Sequence, residues 1–91
     1  MLKADVLINY LKTMPEIFRK FGFVFFFYSN EGQEPMHVHV RKAGGFAKFW
    51  IEPIELEFSQ GMKVGDIKKA EELVYEYTEL IKDKWNEVHG S

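Results

Sequence analysis

Between Gly22 and Tyr28 the chain reads Gly-Phe-Val-Phe-Phe-Phe-Tyr, with bulky side chains on both alternating sets of positions. An extended strand points successive side chains to opposite sides, so this segment has no polar side to offer water. It is therefore expected to be central in its sheet or buried on both sides. Six of the nine phenylalanines lie between Phe18 and Phe27, which concentrates the constraint in one place. A chain of 91 residues supports one compact domain, because two halves would each be too small to bury a useful core.

The remaining elements follow from period and turn chemistry. Leu2, Val6, Leu7, Tyr10 and Leu11 recur at helical spacing, and Met14-Pro15 disfavours helix at Met14. Residues 1–13 are read as a helical extension, and residues 14–91 as a single α+β domain. Turn formers from Ser29 to Pro35 close the aromatic strand. Met36 to Lys42 then alternates, with Met36, Val38 and Val40 on one side and His37, His39 and Arg41 on the other. Phe46–Ile51 and Ile54–Phe58 alternate again, with Pro53 between them. Ile67, Ala70, Val74, Tyr77, Ile81, Trp85 and Val88 advance by threes and fours, a stripe for one long helix stopped near Gly90. The expected architecture is a short N-terminal helix, a four-stranded, mainly antiparallel meander, and a long C-terminal helix packed on one sheet face.

The hairpin between the second and third expected strands decides which side chains share a face. With Gly44-Gly45 as a two-residue loop, Arg41 opposes Lys48, His39 opposes Trp50 and His37 opposes Glu52. His37, His39, Arg41, Lys48, Trp50 and Glu52 then collect on one side, opposite Val38, Val40, Ala47, Phe49 and Ile51. A three-residue loop would mix the faces, which the hydrophobic pattern forbids.

Composition closes several functional classes. No cysteine means no disulfide scaffold, no thiolate metal site and no cysteine nucleophile. A net charge of −2 excludes a globally basic nucleic-acid protein. Residues 17–48 nevertheless carry five basic against two acidic side chains, whereas residues 49–91 carry five against ten. The first thirteen residues hold no uninterrupted apolar run of signal-peptide length. The longest apolar run, Phe21 to Tyr28, is far short of the ~20 residues of a membrane helix. A cytoplasmic protein without membrane contact is expected.

His37-Val38-His39 is the most chemical segment. Residues two apart on a strand sit roughly 6–7 Å apart on one face, close enough for two imidazoles to share one divalent metal. A third ligand could be Glu34, Glu52 or His89. The same pair could act without metal as base and acid in RNA cleavage, with Arg41 or Lys48 holding phosphate. It could equally be a hydrogen-bonded or solvated pair. Trp50 could stack on unpaired bases, with Arg41 and Lys48 as anion-binding groups. One helix covers one sheet face, so Leu7, Leu11, Phe25 and Phe27 are candidates for an interface with a second copy or another protein. No Gly-rich phosphate loop, nucleophile elbow or paired-carboxylate motif is present, and no cofactor is expected other than a divalent metal at His37 and His39.

Met14-Pro15, Phe27-Tyr28-Ser29-Asn30-Glu31-Gly32, Pro35-Met36-His37-Val38-His39-Val40, Ala47-Lys48-Phe49-Trp50 and Trp85-Asn86-Glu87 together resemble the bacterial domain of unknown function 4160 family. The likeness spans about residues 14–88. It departs at Met36, where the family usually has a second proline, and residues 1–13 precede the usual start. The resemblance implies no particular reaction. It does imply a gene neighbourhood similar to toxin–antitoxin pairs, and hence a small partner protein encoded nearby. The leading expectation is a regulatory module binding a partner protein or RNA through His37, His39 and Arg41. The alternatives are an RNA-directed hydrolase or metal-binding enzyme using His37 and His39, and a non-catalytic dimeric structural protein.

Overall fold

The computed structural model describes residues 14–90. The helix expected over residues 2–12, with Leu7 and Leu11, lies outside them.

The domain is α+β. Five antiparallel strands run in chain order across one sheet: β1 (Glu16–Lys20), β2 (Phe23–Phe26), β3 (His37–Lys42), β4 (Gly45–Ile51) and β5 (Ile54–Gln60). Two helices follow, α1 (Val64–Glu76) and α2 (Thr78–His89). No helix among the described residues is long and apolar enough to cross a membrane. Phe23, Phe25, Phe27, Val38, Val40, Ala47, Phe49 and Ile51 line the inner face and pack on Ala70, Leu73, Val74, Ile81 and Trp85. At ~25 cal/mol per Å² of apolar surface, this single layer is the main source of stability.

The fifth strand, β1, corrects the expected four. Its residues alternate poorly, and it is a half-exposed edge paired only with β2, so hydrophobic pattern alone gives it little weight. The turn that makes it is Phe21-Gly22, with φ of 54° and 82°, a two-residue hairpin loop with both residues left-handed. Phenylalanine is an unusual first residue for such a loop, which hides the signal.

The β3–β4 hairpin keeps the expected parity but slides by one turn position. Ala43 and Gly44, at φ 49° and 82°, form the loop, and Lys42 pairs with Gly45. Gly45 is a glycine for another reason: a Cβ there would lie 2.7 Å from the Gly61 carbonyl oxygen, where the end of β5 crosses closely. Arg41 therefore opposes Phe46 rather than Lys48, His39 opposes Lys48, and His37 opposes Trp50. The like-charge pair expected across the ladder does not form.

The single long helix is instead two. Tyr77, at φ −105° and ψ 21°, ends α1 and starts α2. The Thr78 hydroxyl donates back to the Val74 carbonyl at 2.7 Å, a local bond that competes with the regular ladder. The apolar stripe continues across the break, because Tyr77 packs on Phe18 with ring centroids 4.5 Å apart. Lys20 donates to the Tyr77 hydroxyl at 2.6 Å and ties the first hairpin to this junction.

Phe25 and Phe27 are fully buried against the chain's own helices. That burial leaves them no surface for an interface between copies, and it corrects their expected place there. On the opposite side of β2, Phe26 is also buried, with the Tyr28 and His39 rings and the Arg41 guanidinium packed against it.

Candidate metal centre

The ten-residue connection from β2 to β3 folds back over the start of β3, and this brings a third side chain to the histidine pair. Phe27 N–H donates to the Pro15 carbonyl at 3.0 Å, and Glu34 N–H donates to the Glu31 carbonyl at 3.0 Å, closing a turn. Inside that turn the Glu31 side chain curls back to accept from the Tyr28 N–H at 3.1 Å. Its carboxylate is thereby fixed above β3 before any histidine is considered.

His37 and His39 stand side by side as the two-residue spacing requires, with ring centroids 5.1 Å apart. His39 Nε2 lies 2.8 Å from Glu31 Oε1 and 2.9 Å from Oε2. His37 Nε2 lies 2.9 Å from the same Oε1. The three ligand-type atoms all fall within 4.8 Å of one another. Tetrahedral bonds of ~2.0–2.1 Å to zinc put ligand atoms about 3.3 Å apart, so a small opening of this cluster would admit an ion.

Hydrogen positions sharpen the picture. His37 Nδ1 is 2.8 Å from the Pro35 carbonyl oxygen, which can only accept, so Nδ1 carries the proton. In the neutral ring, Nε2 is then a bare lone pair. That atom is buried and, among the described residues, has no hydrogen-bond partner, although Glu31 Oε1 lies 2.9 Å away. A bare ring nitrogen 2.9 Å from a carboxylate oxygen is repulsive unless a proton or a metal cation is shared between them. The Pro35 carbonyl also holds the ring in the orientation a metal-ligating histidine needs, in the manner of an outer-shell partner.

For Glu31 and His39 the surroundings favour the deprotonated forms that bind metal. Burial pulls the His39 pKa below its usual value, against the raising effect of Glu31. Burial works to raise the Glu31 pKa, but the contacts from the two imidazoles, the His39 hydrogen bond among them, and the Tyr28 N–H outweigh it and leave the carboxyl below its ordinary range.

The other expected ligands stand elsewhere. Glu34 pairs with Lys48 at 3.0 Å, and Glu52 pairs with Lys82 at 3.2 Å. His89 packs on Trp85, with centroids 4.1 Å apart, and on Gly32, where a Cβ would come within 3.2 Å of its ring. Its Nε2 is buried without a partner, and burial lowers its pKa. Of the proposed anion-binding groups, Lys48 lies over the Trp50 ring at 4.5 Å and Arg41 over Phe26 at 5.3 Å. They do not converge on one point. Glu31 is the residue that sequence reasoning missed. Its signal was an acid within a run of turn formers, six residues before His37, where turn propensity masked a possible ligand.

Residues 22–86 match the family described as Domain of unknown function (DUF4160). The chain belongs to this family. All three residues of the cluster fall inside the DUF4160 match. No curated protein and no solved structure is significantly similar to the chain.

Proposed function

We propose that this DUF4160 chain is a metal-binding protein, holding one divalent first-row transition ion between Glu31, His37 and His39. The observation that carries this reading is the buried, unpartnered Nε2 of His37 beside the Glu31 carboxylate. Two imidazoles and a carboxylate suit zinc, iron, nickel or copper better than magnesium or calcium. Three protein ligands leave a coordination position open, which is the pattern of catalytic rather than structural zinc sites. The hydrolase reading of the histidine pair would use that position.

The partner-contact reading of the same face is less well supported. His37 is fully buried and His39 is largely so, and the ring nitrogens of both lie against Glu31, which leaves little imidazole surface for a partner to touch. Metal-free acid–base cleavage by the pair meets the same difficulty.

The test is binding of Zn²⁺, and of Co²⁺ as a coloured probe, to dialysed protein. One equivalent should bind, with cobalt visible bands of a low-coordinate nitrogen and oxygen site. Glu31→Gln and His37→Ala should each weaken binding by 10-fold to 100-fold or more while circular dichroism stays unchanged. Absence of stoichiometric binding by the folded wild-type protein would overturn the reading, as would undiminished affinity in His37→Ala.

A further inference from the structure

Next to the candidate metal centre, but sharing no ligand with it, is a groove of about 380 Å³ lined by Pro35, Met36, Trp50, Glu52, Pro53 and Glu55. That size is within the range of small-ligand sites, which begin near ~300 Å³. Its walls are apolar: two proline rings, a thioether and an indole. Among the described residues, its charged lining groups are two carboxylates, Glu52 and Glu55. An apolar slot with an aromatic wall and carboxylates at its rim is complementary to a cation carried on an apolar stem.

We propose that this groove receives the arginine side chain of a partner polypeptide. A planar guanidinium can stack on an indole face and at the same time fork onto a carboxylate, which an ammonium cannot do. Trp50 already shows the first half of this chemistry, because the Lys48 ammonium sits 4.5 Å from its ring centroid and is itself neutralised by Glu34 at 3.0 Å. Glu55 makes no ion pair among the described residues, and Glu52, 63% exposed, has only Lys82 at 3.2 Å. A negatively charged strand of RNA is repelled by the same groups, which separates this site from the nucleic-acid reading of Trp50.

The occupant is tested by titrating ¹⁵N-labelled protein with the peptide acetyl-Gly-Arg-Gly-amide and with its citrulline counterpart, which keeps the shape and loses the charge. The Trp50 indole N–H and the Met36 and Glu55 amides should shift saturably with the arginine peptide. The citrulline peptide should bind at least tenfold more weakly. The double variant Glu52→Gln/Glu55→Gln changes two exposed side chains and should remain folded, yet it should lose arginine binding tenfold or more. Equal binding of the citrulline peptide, full affinity in the double variant, or groove shifts produced by a single-stranded oligouridine instead would each overturn the proposal. None of these readouts depends on metal, so failure here and failure of the metal reading are separately visible.

Discussion

Phe25 and Phe26 are neighbours in β2 and both are buried, but they are buried by different materials. Phe25 faces inward, stacks on Phe18 with centroids 4.4 Å apart, and pairs across the ladder with Val40. Phe26 faces outward and is enclosed by Tyr28 edge-on, His39 in a stack and the Arg41 guanidinium. The inner side depends on apolar volume supplied by the helices. The outer side depends on side chains that keep a polar tip while lending a flat surface to their neighbour. The lesson is that the outer phenylalanine doubles as a support for a candidate metal ligand, so stability and site geometry meet there and are separate on the inner side.

The largest effect should come from the inner side. Phe25→Ala is expected to cost about 3–5 kcal/mol, a large share of the ~5–15 kcal/mol that holds a domain together. Urea unfolding at low temperature measures it. Phe26→Ala should cost less, about 2 kcal/mol, because its polar-tipped neighbours can turn toward water as the ring is lost. Unlike an inner-face truncation that leaves the protein folded, it should also weaken cobalt binding by releasing His39. If Phe26→Ala matched Phe25→Ala in stability and left metal affinity intact, the distinction between the two faces would collapse.

Acid should act on the outer side and at the end of α2, where His89 packs on Trp85. The pKa values of His39 and His89 are held down by burial, and that of Glu31 by its histidine partners despite burial. Each group binds protons more readily in the unfolded chain, so stability rises with pH across its titration. The histidine contribution is complete above the unfolded value near ~6.5 and is lost as pH falls below it; the Glu31 contribution goes below about 4.5. In the presence of chelator, the urea midpoint should therefore fall between pH 7.5 and pH 5, and less steeply in His39→Gln. A midpoint independent of pH over that interval would contradict the assignment of buried neutral imidazoles. The smallest effect is expected at Phe58, half exposed on the edge strand, where Phe58→Ser should stay within about 0.5 kcal/mol.

What was legible in the sequence was whatever is periodic. The parity of β3 and β4, the stripe from Ile67 to Val88 and the pairing of His37 with His39 on one face all follow from repeats of two or 3.6 residues. What was hidden depends on single contacts between distant parts of the chain. Gly45 looks like a turn residue until Gly61 is seen pressing on it, and that changed which residue faces Arg41. Tyr77 fits the helical stripe, and only the Thr78 hydroxyl bond marks the break. Glu31 sits in a segment whose turn propensity is genuine. Its contact with His37 and His39 arises from the return of the loop over β3, a tertiary event that no local pattern encodes.

The strictly sequential strand order has a consequence for how the chain comes into being. Every strand pairs with its neighbour in sequence, so the sheet can close hairpin by hairpin during synthesis with short loops and little entropy lost per step. The helices that seal the inner phenylalanines are made last, and α2 ends only at His89. Until then the nascent sheet carries an uncovered oily side, the condition under which partly made chains stick to one another or to a chaperone. The end of α2, with Trp85 against Phe27 and His89 against Gly32, thus reaches the loop that holds Glu31 only after all five strands have been made.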